Sequence, residues 1–263
     1  SLTSLELFYM HTFVKAGAAP LLCLAICLPF TTVIQAGPLG ASDYVYTPAV
    51  TEGEKEIDFK LGTAKARDGS RTSATSLGLG YGVNSFWFTE VYVKAKRESP
   101  GNWSYDALEW ENKFLLTETG KYPVDVGLIV ELERPRNRAE GYELRFGPLF
   151  QTELTRSVVA NLNVLFGKNY RTATPAPMEL GYQWQLKYRW KPELEVGAQG
   201  FGRLGPLQNW FPSDQQEHKL GPAVFGKIRL DGRSSIRYNA AWLIGANNNT
   251  ARNTLRLQTE YEF

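Results

Sequence analysis

The sequence predicts an all-β protein, a transmembrane antiparallel up-and-down β-barrel of twelve strands, and three observations carry that reading. From Glu54 onward the chain divides into segments of about ten to fourteen residues whose side chains alternate apolar and polar, the length a tilted strand needs to cross a bilayer. Mean hydropathy is only −0.30 and 21% of residues are charged, yet half of each segment is apolar. A barrel reconciles the two, because one face of every strand meets lipid and the other meets the interior. Connections also alternate between tight turns and longer loops, as an up-and-down barrel requires.

Ahead of the strands, Met10, Lys15 and the apolar stretch Ala16 to Ile34 lead to Ile34-Gln35-Ala36, the pattern of a secretory signal peptide. Pro20 and Pro29 interrupt it and no basic stop-transfer cluster follows, which argues against a transmembrane helix. Cleavage is expected after Ala36, or second after Leu39-Gly40-Ala41. Residues 1–36 are therefore read as upstream residues plus signal. Residues 37–53, with Tyr44-Val45-Tyr46 and Pro48 but no sustained periodicity, are read as a periplasmic segment or an inserted plug, and 54–263 as the barrel.

The first two strands are expected at 55–67, where Ile57, Phe59 and Leu61 alternate with Glu56, Asp58 and Lys60, and 71–82, where Leu77, Leu79 and Tyr81 alternate with small residues. Strand 86–97 sets Trp87, Val91 and Val93 against Glu90, Tyr92 and Lys94. Strand 104–117 sets Leu108, Trp110 and Phe114 against Glu109, Glu111 and Lys113. In 124–134 Val126, Leu128 and Val130 oppose Ile129, Glu131 and Glu133, and in 141–153 Leu144, Phe146 and Phe150 oppose Glu143, Arg145 and Gln151. Strand 157–167 places Asn161 and Asn163 inward, and 179–190 places Gln183, Gln185, Lys187 and Arg189 inward. The ninth, 193–203, is glycine-rich. Strands 219–230 and 235–246 turn Phe225, Lys227, Arg237 and Asn239 inward, and 254–263 closes the chain.

Tight connections at 83–85, 118–123, 154–156, 191–192 and 231–234 are rich in turn-forming residues and are expected on the periplasmic side. The longer ones, 98–103, 135–140, 168–178, 204–218 and 247–250, would face outward, and the even strand count puts both barrel ends in the periplasm. The 204–218 loop, with Trp210 and Phe211, is expected either to lid the mouth or to pack on its rim. A secreted β-sandwich also alternates, but its strands average about five or six residues.

Twelve strands about 4.8 Å apart and tilted about 40° give a backbone diameter of about 24 Å, so inward side chains leave little space. The inward acids Glu90, Glu109, Glu111, Asp125, Glu131, Glu133, Glu143 and Glu153 fall on the third to sixth strands, and Lys187, Arg189, Lys227, Arg229, Arg237 and Arg256 on the eighth and later. Opposite walls are expected to carry opposite signs. Two readings stay open: a network of buried ion pairs filling the lumen, or a transverse field across a narrow polar pore. Lys60, Glu109, Glu111, Glu131, Arg145, Gln183, Gln185, Asn239 and Arg256 fall near mid-depth and are the expected constriction.

Other chemistry has little footing. Cys23 and Cys27 lie in the signal, and Leu24-Ala25-Ile26-Cys27 is a poor lipobox. Loss of His11 as well leaves His218 alone, so no metal site and no cofactor are expected. His218 follows Ser213-Asp214-Gln215-Gln216-Glu217, and a hydrolase triad there is the least favoured reading. Gly78-Leu79-Gly80-Tyr81-Gly82 lacks a following helix and is read as room for aromatic packing, not a phosphate loop. A net charge of +2 gives no argument for nucleic acid.

The last strand, with Leu257, Tyr261 and Phe263 on its apolar face, resembles the C-terminal signature by which bacterial outer-membrane barrels are inserted. Its implied partners are outer-membrane lipid and the barrel-assembly machinery. Trp87-Phe88-Thr89-Glu90-Val91-Tyr92-Val93, Glu109-Trp110-Glu111-Asn112-Lys113, Gly120-Lys121-Tyr122-Pro123, Gly147-Pro148-Leu149-Phe150-Gln151 and Glu179-Leu180-Gly181-Tyr182-Gln183-Trp184 resemble a proteobacterial group of Gram-negative outer-membrane barrels. That resemblance implies fold and location but no activity. The expected function is a narrow channel for small polar solutes, with a closed structural barrel as the alternative.

Overall fold

A computed structural model describes residues 39–263 except Arg233, so the signal-peptide reading of 1–36 lies outside the described residues. Twelve antiparallel strands form one closed barrel. They are β1 (Lys55–Lys65), β2 (Arg71–Asn84), β3 (Trp87–Glu98), β4 (Ser104–Leu115), β5 (Asp125–Pro135), β6 (Tyr142–Thr155), β7 (Val158–Tyr170), β8 (Glu179–Lys191), β9 (Leu194–Pro206), β10 (Glu217–Arg229), β11 (Ser235–Gly245) and β12 (Asn253–Glu262). Each strand pairs with its sequence neighbours, and β1 closes on β12 with Ile57 opposite Tyr261 and Leu61 opposite Leu257. Closure leaves no strand edge unpaired, which lipid, unable to hydrogen-bond a free edge, demands.

The alternation sorts side chains as the period of two dictates. Leu79, Val93, Trp110, Leu162, Trp242 and Leu255 stand exposed on the outer face, whereas Asp58, Glu90, Glu111, Glu131, Asn163 and Gln199 are buried inside. Turns 85–86, 116–124, 156–157, 192–193 and 230–234 lie at one end, and loops 66–70, 99–103, 136–141, 171–178, 207–216 and 246–252 at the other. Phe263 lies at the turn end, stacked on Tyr261 with ring centroids 5.4 Å apart.

The structure corrects the expected limits of the ninth and tenth strands. The glycine-rich β9 runs on to Pro206 and β10 begins at Glu217, so the 204–218 loop shortens to 207–216 and His218 belongs to a strand. That loop is tied sideways: Asn247 donates to the carbonyls of Ser213 and Gln216, and Asn249 to that of Gln215. It packs against the neighbouring loop, and its Phe211 ring reaches the mouth, 5.5 Å from the Arg203 guanidinium.

Candidate functional site

The interior is organised around residues 39–53, which run inside the barrel from the loop end to the turn end. At the loop end the Leu39 amide donates to Glu217 at 3.1 Å, and Lys219 donates to the Gly40 carbonyl at 2.6 Å. At the turn end the Gly53 amide donates to Gly82 at 2.8 Å, and the chain reverses into β1. Two lumen-facing glycines admit the segment. A side chain at Gly62 would strike the Ala41 carbonyl, and one at Gly82 the Thr51 carbonyl.

At mid-depth the segment is extended, and Tyr44, Val45 and Tyr46 alternate like residues of a strand. Tyr44 donates to Glu111 at 2.7 Å, and Tyr46 donates to Glu131. The Tyr46 backbone is held on both sides, its amide by Gln183 at 3.3 Å and its carbonyl by Asn163 at 3.0 Å. Lys60 sits between the rings of Tyr44 and Tyr92, 3.5 and 3.6 Å from their centroids, with Asp58 3.2 Å away. Val45 points the other way, into a buried cluster with Phe201, Ala223, Phe225, Ala241 and Leu243. Tyr46 itself packs on Ile129, Leu149 and Leu165.

All nine residues expected at the constriction face inward, and Arg145 and Asn239 alone among them are only half-buried. Lys60, Glu111, Glu131 and Gln183 contact the segment directly. Glu109 pairs with Lys94 at 3.0 Å, and Arg145 lies 3.5 Å from Glu131 and 2.9 Å from Glu143. Gln185, Asn239 and Arg256 join through Gln199: Gln199 donates to Gln185 at 2.6 Å, Arg256 donates to Gln199, and Arg256 donates to Asn239 at 3.0 Å. Sequence reasoning placed Asn163 inward and named Tyr44 and Tyr46 in the plug reading, but counted none of them at the constriction, and it missed Gln199. The available signal was apolar residues at inward parity, such as Ile129 and Phe225, which imply something apolar to pack against.

The expected division of charge between opposite walls is revised in one respect. Among the described residues ion pairs form between near neighbours, including Arg189 with Glu153 at 2.6 Å where the acidic and basic sets meet, and not across the lumen. On the acidic side Lys94 reaches both Glu109 and Glu133, at 3.0 and 2.5 Å. On the basic side Arg203 bridges Glu179 at 2.6 Å and Glu217 at 2.8 Å, Lys187 meets Glu195 at 2.9 Å, and Lys227 meets Glu262 at 2.7 Å. Strands about 4.8 Å apart let adjacent side chains touch, while opposite walls lie about 24 Å apart from backbone to backbone, with residues 39–53 between them. Glu109, Glu111 and Glu131 also bring carboxylate oxygens within 4.8 Å of one another. Lys94, Tyr44, Tyr46 and Arg145 already engage them, which makes the cluster an anchor for the segment.

Free space inside is divided. A cavity of about 430 Å³ opens below Tyr44 and Tyr46 toward the turn end, lined by Glu56, Lys187, Lys227, Arg237 and Glu260. A smaller one of about 70 Å³ lies above, beside Asp43, Arg145 and Arg203.

The hydrolase expectation does not find its triad. His218 lies at the loop end of β10, its Nδ1 2.8 Å from the Tyr182 hydroxyl and its Nε2 2.9 Å from Gln216. Among the described residues no serine hydroxyl or carboxylate bonds its ring. Gly78 and Gly80 behave as expected, giving room to the rings of Tyr92 and Phe88.

No protein-family model matches the chain, and no curated protein matches it. Solved structures do. An outer-membrane channel from Pseudomonas putida F1 superposes with a TM-score of 0.55 and 12% identity, over 87% of this chain and 100% of that one. The NanC porin gives 0.53 and 9%, over 80% and 98%, and the KdgM porin 0.51 and 9%, over 79% and 98%. At these identities the likeness is one of fold: the chain has the closed antiparallel barrel of outer-membrane porins and channels.

Proposed function

We propose that this protein is an outer-membrane channel for small polar solutes, narrowed at mid-depth by its own residues 39–53. The observation that carries the reading is the seating of Tyr44, Val45 and Tyr46 across the lumen, with a cavity on either side. A polar, charged interior around a narrow passage is the chemistry by which pores select solutes. The nine mid-depth residues form the constriction together with the two tyrosines. The short turns and Phe263 face the periplasm, the loops face outward, and Leu257, Tyr261 and Phe263 present the insertion signature to the assembly machinery. Lys187, Arg203 and Lys227 are each matched by a carboxylate, which interrupts the basic residues along that wall.

A second reading, a closed structural barrel, is favoured by the apolar seat of Val45, since a conducting lumen has no need of buried Phe201 and Leu243. Planar-bilayer recording separates the two. The intact protein should give small conductance steps, and deletion of residues 39–49 should raise them severalfold. Glu131→Gln or Arg256→Gln should shift ion selectivity. Silence from both the intact and the deleted protein would sink the channel and leave the structural barrel.

A further inference from the structure

We propose that a groove on the outer surface, across β10 to β12 and β1 to β3 near the loop end, binds a diphosphorylated, multiply acylated glycolipid of the outer leaflet. This rests on the orientation proposed above, with the loops outward. The groove has a volume of about 760 Å³. Its spine is one register row: Trp242 lies opposite Leu255, Leu255 opposite Thr63, Thr63 opposite Ser73, and Ser73 opposite Arg97.

Along that row the chemistry changes from apolar to cationic. At one end exposed Leu255, Leu257 and Trp242 stand beside the small Ala240, which leaves an apolar recess between bulky side chains. In the middle Ser73 donates to Thr63 at 3.1 Å, so the two hydroxyls satisfy each other and keep the floor low. At the other end Arg71 and Arg97 line the groove with Trp103, and Arg97 lies over the Trp103 ring at 5.4 Å. Lys65 is the cross-strand partner of Arg71, which adds a third cation.

None of these three cations forms an ion pair with a carboxylate among the described residues, whereas Lys60, Lys94, Arg145 and Arg203 inside the barrel all do. Like charges directly opposite each other on a sheet are destabilising, so Lys65 facing Arg71 calls for an anion. Guanidinium forks suit phosphate oxygens, and three cations match a headgroup with two phosphates better than a phospholipid with one. Phosphate at the loop-end cations and acyl chains over the apolar end would fill the groove.

The test is native mass spectrometry of the detergent-purified full-length protein with diphosphoryl lipid A, monophosphoryl lipid A and phosphatidylglycerol. The intact protein should retain diphosphoryl lipid A above the other two, and an Arg71→Ala, Arg97→Ala double variant should retain it roughly tenfold less, as loss of charge-assisted bonds implies. Equal retention by intact and double-variant protein would overturn the site. Retention of phosphatidylglycerol as strong as that of diphosphoryl lipid A would overturn the glycolipid. The channel proposal fails separately, through bilayer conductance, which the double variant should leave unchanged. The orientation fails separately too: an Asp68→Cys variant that an impermeant maleimide does not label on whole cells would overturn it and the leaflet assignment together.

Discussion

Two faces of the same short segment meet opposite walls of the barrel by different physics. The Tyr44 and Tyr46 phenols hook onto β4 and β5 through hydrogen bonds to Glu111 and Glu131, and the Tyr46 amide onto β8 through Gln183, while Val45 rests in an apolar seat built by β9, β10 and β11. The difference teaches how a chain can be held in a lumen. The hooks are directional and fix depth, because each phenol must find its own carboxylate. The seat is non-directional and supplies adhesion, since burying a valine side chain is worth about 1.5–3 kcal/mol. Their relative weights decide whether the segment is a fixture or a part that moves.

The largest effect should come from the seat. Phe201→Ala leaves a cavity beneath Val45, at a cost of about 3–5 kcal/mol for a buried phenylalanine. Departure of the segment can be read by chymotrypsin, whose sites at Tyr44 and Tyr46 are reachable only when the segment leaves the lumen. Cleavage that tracks the open population should accelerate by about a hundredfold to a few thousandfold. An unchanged rate would mean that the seat does not hold the segment, and the hooks alone would have to.

A smaller effect is expected from the deeper hook. Tyr46→Phe keeps the packing on Ile129 and Leu149 but strips the donor from the buried Glu131 carboxylate. A buried acceptor deprived of its partner costs about 1–3 kcal/mol, so cleavage should rise roughly tenfold. Arg145 stays 3.5 Å from Glu131 and limits the loss. A combined Tyr46→Phe, Glu131→Gln variant should recover part of it, because an amide tolerates the missing hydroxyl better than a carboxylate does. Should Tyr46→Phe exceed Phe201→Ala, the division into adhesive seat and directional hooks would be reversed.

The barrel was legible because alternation is a local property: Leu77 and Leu79 on one face of β2, or Glu109 and Glu111 on one face of β4, declare their sides without reference to the rest of the chain. The ends of β9 and β10 were not, since Gly197, Gly200, Gly202 and Gly205 carry no side chain to alternate. The course of residues 39–53 was harder still. The segment builds no hydrogen-bonded ladder, and its periodicity lasts only through Tyr44, Val45 and Tyr46. Its trace is written in the wall instead, in Gly62 and Gly82 where backbone passes close, and in Leu149, Leu165, Phe201 and Leu243, apolar where a lumen should be polar. The residues expected at the constriction were chosen by depth alone, as the middle residues of their strands. What it encloses depends on contacts across the barrel that no local pattern encodes.

The smallest expected effect separates the two hooks from each other. Tyr44→Phe removes the 2.7 Å bond to Glu111 but leaves the ring under Lys60, whose ammonium lies 3.5 Å from the centroid. The cation over an aromatic face contributes about 0.5–2 kcal/mol and does not need the hydroxyl. Lys60 is also held by Asp58 at 3.2 Å and by the Tyr92 ring, so it stays in place when Tyr44 loses its oxygen. Chymotryptic cleavage of Tyr44→Phe should therefore rise only about threefold, less than for Tyr46→Phe. Lys60→Met, which keeps the length of the side chain and discards its charge, should add to Tyr44→Phe beyond the sum of the single changes if ring and hydroxyl are alternative holds on one residue. Strict additivity would show two independent contacts, and Tyr44 would then be a hook of the same kind as Tyr46.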